Sequence, residues 1–128
     1  MQNNKRLLTS LIILGLAGLG IYLLVAPQYS SGELDGFAQC LKEKNATFYG
    51  AFWCPHCQNQ KRMFGSSERL LNYVECSTPD GRGQLPVCQE AKITGYPTWE
   101  FADKSRLTGE VQLDKLAEKT GCELPVKK

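Results

Sequence analysis

The chain has 128 residues, 42% hydrophobic and 22% charged, with a net charge of +2 and six cysteines. That length allows one domain plus an appendage. So small a net charge, carried by scattered basic residues, leaves no electrostatic footprint for a nucleic acid.

The first element is an apolar run. Residues 7–26, from Leu7 to Ala26, carry no charge and are rich in Leu, Ile, Gly and Ala. About twenty residues at ~1.5 Å rise match the hydrocarbon thickness of a bilayer. Lys5 and Arg6 precede the run and no basic residue follows until Lys42, so the positive-inside rule keeps the N-terminus cytoplasmic and exports the rest. Residues 1–26 are therefore read as a short cytoplasmic N-terminus and a transmembrane anchor, with a signal peptide as the rival. The run exceeds the ~7–15 residues of a signal h-region, and Pro27 directly follows Ala26. Either reading puts the domain in a periplasmic, extracytoplasmic or lumenal space, where six cysteines suit the oxidising conditions.

Residues 27–32 form a polar linker with Pro, Ser and Gly, and 33–128 form the folded domain. Leu34, Phe37, Ala38 and Leu41 recur at helical spacing and predict a helix over 33–45. Residues 46–52 are aromatic and partly β-branched, as in a buried strand. Pro55 then opens a helix that runs to Met63 or Phe64 and stops at Gly65. A second strand is predicted over 72–76, a Gly/Pro loop over 77–83 and a short helix over 85–93. Residues 98–102 and 106–111 read as a hairpin about Asp103-Lys104-Ser105, and Leu113, Leu116, Ala117 and Thr120 as a closing helix ended by Gly121. The order α-β-α-β-α-β-β-α predicts an α/β domain with a four-stranded mixed sheet flanked by helices.

The chemistry concentrates in Phe52-Trp53-Cys54-Pro55-His56-Cys57 and, some way on, Tyr96-Pro97-Thr98. Two cysteines spaced C-x-x-C at the start of a helix share one turn, where the first sulfur gains thiolate character from the helix N-terminus. Cys54 is the expected nucleophile, and Cys57, one turn deeper, the resolving thiol. His56, the only histidine, is placed to donate a hydrogen bond or a charge to the Cys54 thiolate, and a stabilised reduced form makes a stronger oxidant. A single C-x-x-C does not supply the paired clusters of a structural zinc site, and Gln58 stands where a c-type haem motif needs histidine. No metal or other cofactor beyond the Cys54–Cys57 couple is expected.

These motifs resemble the thioredoxin superfamily over roughly residues 46–102. Within it, residues 49–57 and 96–100 are similar to the thioredoxin-like domains that work with bacterial vitamin K epoxide reductase homologues, and Pro55-His56 is similar to DsbA-type oxidases. Cys76 and Cys88, about a Gly-rich loop, fit the same group. The resemblance implies a thioredoxin-like fold preceded by one transmembrane helix. It also implies a cis proline at Pro97 packed on the two cysteines, with client contacts at Trp53 and Tyr96. The activity implied is disulfide exchange with exported cysteine-containing proteins, the domain acting as an oxidase that a separate integral-membrane partner, such as a vitamin K epoxide reductase homologue, reoxidises. An exported reductant, as in cytochrome maturation, and a disulfide-stapled binding or chaperone module without turnover are the alternatives. One departure is notable: Phe48 stands where many thioredoxins carry a buried acid, leaving Glu75 and Glu100 on neighbouring strands as substitutes.

Four cysteines remain, with three possible connectivities. Cys76–Cys88 would close the flexible loop and Cys40–Cys122 would join the first helix to the last, and this pair of bridges is favoured. Cys76–Cys88 is read as a structural staple, with electron relay to a partner as the sharper alternative.

Overall fold

The computed structural model describes residues 32–125. The apolar run and its reading as an anchor lie outside the described residues, among which no helix is long and apolar enough to cross a membrane.

The elements are α1 (Asp35–Glu43), β1 (Thr47–Gly50), α2 (Pro55–Phe64), β2 (Asn72–Glu75), α3 (Pro86–Glu90), β3 (Thr98–Glu100), β4 (Arg106–Thr108) and α4 (Leu113–Thr120). Their order is the one read from the pattern of apolar residues, with a 3₁₀ segment, Gly65–Leu70, added after α2. Gly65, at φ 56°, ends α2 and lets the chain tighten. α1 buries Phe37, Ala38 and Leu41, and carries Asp35 in its first turn and Lys42 in its last, matching the helix dipole. Two hydrogen bonds from Arg69, at 2.8 and 2.7 Å, tie Asp35 to the 3₁₀ segment and hold its carboxyl well below the usual range.

The sheet order is β2-β1-β3-β4, with β1 parallel to β2 and antiparallel to β3, and β3 antiparallel to β4. Successive side chains of β1 point to opposite faces. Phe48 joins Phe37, Phe64, Trp99 and Leu116 in the larger core, stacked on Trp99 at 4.9 Å between ring centres. Tyr49 joins Cys76, Cys88 and Ile93 in a smaller cluster. α1, α2 and α4 thus contribute to one core and α3 to the other.

The strands are shorter than the sequence suggests. β4 stops at Thr108 because Gly109, at φ 94°, turns the chain. Val111, expected at its end, is buried with its backbone N–H donating to Gln60 at 2.7 Å and its carbonyl accepting from the same amide at 2.9 Å. Buried Gln60 is thereby satisfied in an apolar setting, and it fixes the 109–112 loop against α2.

Of the three connectivities open in the sequence, the structure contains Cys40–Cys122 and Cys76–Cys88. The first joins α1 to the segment after α4, and the second joins the end of β2 to α3.

Candidate active site

The turn between β1 and α2 presents the two remaining cysteines. Cys54 caps α2 in an extended conformation (φ −78°, ψ 119°), and Pro55, which lacks an N–H to leave unpaired, takes the first helical position. Gln58 reaches back from α2 to donate to the Phe52 carbonyl at 2.7 Å, and the Cys54 N–H bonds the Ala51 carbonyl at 3.0 Å. These bonds clamp the turn so that Phe52 and Trp53 stand half exposed, at 48% and 50%.

The two sulfurs differ in access. Cys54 retains 6% of its surface, whereas Cys57 retains 0%. Cys54 Sγ lies 3.8 Å from the Tyr96 carbonyl, which brings the Tyr96-Pro97 segment over the cysteine, and the Tyr96–Pro97 peptide is cis. The Trp53 ring meets Tyr96 edge-on at 6.2 Å, and its indole N–H donates to Ser77 Oγ at 2.8 Å. Burial pushes the Cys57 thiol up to about 12, and the neighbouring Cys54 sulfur adds to this, while a hydrogen bond from the Ala51 backbone and the charge of Lys61 oppose it. Gly50 is required behind that sulfur: a Cβ there would sit 3.0 Å from Cys57 Sγ and 2.9 Å from the Tyr73 ring.

Cys54, Cys57, Trp53, Tyr96 and Pro97 are thus gathered at one place. His56 follows in the first turn of α2, but its Nδ1 lies 2.6 Å from Glu110 rather than on a sulfur. Asn59 donates to the same carboxylate oxygen at 2.9 Å, and the two contacts lower the Glu110 pKa, His56 most. Arg62 in turn donates to Asn59. Glu110 is invisible to motif reading because it lies 54 positions from its partner, past the turn at Gly109.

The acids on the strands have separate duties. Both Glu100 oxygens are engaged, by Lys104 at 3.1 Å and by Arg106 at 2.8 Å. Glu75 instead accepts from the Ser77 and Phe52 backbone N–H groups, at 2.8 and 3.3 Å, and from the Tyr73 hydroxyl at 2.7 Å, beside the active-site turn. Cys76 and Cys88 are both at 0% exposure, so their disulfide offers no sulfur to an incoming thiolate. A staple is what such burial supports. Among the described residues no group of three or more His, Cys, Asp or Glu is placed to hold a metal ion.

Thiol–disulfide oxidoreductase LTO1 of Arabidopsis thaliana is 49% identical over 100 residues, covering 74% of this chain and 26% of that protein. Protein disulfide isomerase-like 5-1 of Oryza sativa subsp. japonica is 29% identical over 102 residues, covering 66% of each. The domain is thioredoxin-like. Its four-stranded mixed sheet and flanking helices fit that fold, and its two relatives are named a thiol–disulfide oxidoreductase and a protein disulfide isomerase-like protein. No protein-family model matches the chain. The thioredoxin-like chain spans about a quarter of the first relative's length and about two thirds of the second's.

Proposed function

We propose that this protein is a membrane-anchored, extracytoplasmic oxidoreductase that exchanges disulfides with exported cysteine-containing proteins through Cys54 and Cys57. It would act as an oxidase, reoxidised by an integral-membrane partner of the vitamin K epoxide reductase type. The observation that carries the reading is the C-x-x-C turn itself: Cys54 caps α2 with a 6% opening beside the exposed Phe52 and Trp53 rings and under the Tyr96 carbonyl, while Cys57 behind it has none. A client thiolate attacks Cys54 Sγ of the oxidised couple, and the Cys54–Cys57 bond breaks with its electron pair going to Cys57. The client's second thiolate then attacks the client sulfur of the mixed disulfide. Cys54 leaves with the electron pair, and the client departs oxidised.

The oxidase direction is supported by the resemblance of Pro55-His56 to DsbA-type oxidases and by Phe48 in place of a buried acid. The Tyr96 backbone and the Phe52 and Trp53 rings offer an extended client strand both polar and apolar contacts. The anchor rests on the apolar run at 7–26 and the membrane partner on the sequence resemblance.

The test is the reduction potential of the Cys54–Cys57 couple in the full chain, equilibrated with a glutathione buffer. A value between about −120 and −180 mV, the range of oxidases and isomerases, is expected. A value near −270 mV, about that of thioredoxin, would replace the oxidase by an exported reductant.

A further inference from the structure

The two aromatic residues that meet edge-on beside Cys54, Trp53 and Tyr96, are fastened by their polar ends to one loop, 77–84. The indole N–H of Trp53 donates to Ser77 Oγ at 2.8 Å. The Ser77 hydroxyl commits its own hydrogen to the Thr78 carbonyl at 3.0 Å, which leaves a lone pair for the indole. At the far end of the loop the Gln84 amide donates to the Tyr96 hydroxyl at 2.7 Å and to the Ile93 carbonyl at 2.8 Å. Ser77 and Gln84 are paired with each other as an antiparallel bridge, and the Thr78 N–H bonds the Gly83 carbonyl at 3.0 Å. Glu75 adds a third tie, one oxygen accepting from the backbone N–H groups of both Ser77 and Phe52. The tip of the loop is bare where it meets the rings. A Cβ on Gly81, whose φ is 73°, would lie 3.5 Å from the Trp53 ring and 3.9 Å from the Phe52 ring. Both rings stay half exposed.

We propose that loop 77–84 sets client choice, with Ser77 and Gln84 as positioning residues that hold Trp53 and Tyr96 for a client segment carrying an apolar side chain next to its cysteine. This inference rests on the exchange with cysteine-containing clients proposed above and names the kind of segment selected. An exposed ring that turns about its side-chain torsions has to be stilled when a client docks, and that ordering opposes binding. Rings held from behind meet the client already in place. The client's apolar side chain covers the Phe52 and Trp53 faces that Gly81 leaves open, while its cysteine reaches Cys54 Sγ. The side-chain bonds of Ser77 and Gln84 go to the rings and to backbone carbonyls, not to a sulfur. They therefore act on how tightly the client is held rather than on the exchange step.

The experiment gives the oxidised full chain an excess of either of two short dithiol peptides, their cysteines flanked by leucine in one and by serine in the other. Oxidation rate against peptide concentration separates the half-saturation concentration from the limiting rate. The leucine peptide is expected to half-saturate the wild type at a concentration about 10-fold lower than the serine peptide. Ser77→Ala and Gln84→Ala should each raise that concentration for the leucine peptide by about 3- to 10-fold, with the limiting rate retained. Ser77→Ala should add nothing once Trp53→Phe has removed the indole N–H, and Gln84→Ala nothing once Tyr96→Phe has removed the hydroxyl. Gly81→Asn, which tolerates the positive φ and sets a side chain against the rings, should erase the preference for leucine. Equal half-saturation of the wild type by both peptides would overturn the proposal, as would alanine effects that persist without the indole or the hydroxyl. A limiting rate that falls in step with the rate of exchange with glutathione would also overturn it, because that marks a structural role. Peptides that behave as expected beside no exchange with any exported protein would sink the proposed function and leave the loop's role standing.

Discussion

Gly50 touches both cysteine pairs near the sheet edge, and the pairs could hardly be treated more differently. Its carbonyl accepts from the Cys76 N–H at 2.8 Å, while its α-carbon faces Cys57 Sγ. Cys76 and Cys88 are bonded to each other and sealed in a cluster with Tyr49 and Ile93. Cys54 and Cys57 are unbonded, and Cys54, though buried, keeps a 6% opening beside half-exposed aromatic rings. Sulfur chemistry is common to both pairs, so the difference lies in access and backbone. A helix start with one outward sulfur makes a reagent, and two sulfurs inside an apolar cluster make a brace.

The sharpest way to break the comparison is to remove the outward sulfur. Cys54→Ser should abolish disulfide exchange while leaving the thermal midpoint within a few degrees, as read by client oxidation and calorimetry on one preparation. Next in size is the longer brace. Removing Cys40 and Cys122 together, which are 82 positions apart, should cost about 4–5 kcal/mol in urea unfolding, with exchange per folded molecule retained. Removing Cys76 and Cys88, 12 apart, should cost about 3 kcal/mol. Exchange with glutathione should continue in that variant, and its loss would turn the brace into a relay.

The smallest effect is one of pH. The Cys57 thiol titrates near 9 when unfolded and is pushed up to about 12 in the fold. Above pH 9 the unfolded chain therefore gives up a proton that the folded chain keeps, so the unfolded state gains and stability falls with rising pH toward 12. Below 9 both states hold the proton and the effect vanishes. Unfolding of reduced protein should show this loss, and Cys57→Ala should not.

Much of this was legible in the sequence, for reasons that differ by region. α1 and α4 announce themselves through apolar residues at helical spacing, and α2 through Pro55 and Gly65, because these signals are local. The two unbonded cysteines are equally plain, since a C-x-x-C pair is made within one turn. The end of β4 was misjudged by three residues because Val111 is apolar and reads as strand, whereas its backbone is taken by Gln60 from α2. Glu110 escaped notice for the same reason: its partners His56 and Asn59 stand on α2, 54 and 51 positions away, and no residue near it signals the contact.

The two tryptophans of the chain report on different events. Trp99 lies at 0% exposure in the middle of the aromatic core, and Trp53 lies at 50% next to Cys54. A collisional quencher in solution reaches the second and not the first. Their fluorescence therefore separates optically: Trp53 follows what happens at the sulfurs, Trp99 follows whether the fold is intact, and no external label is needed to watch either.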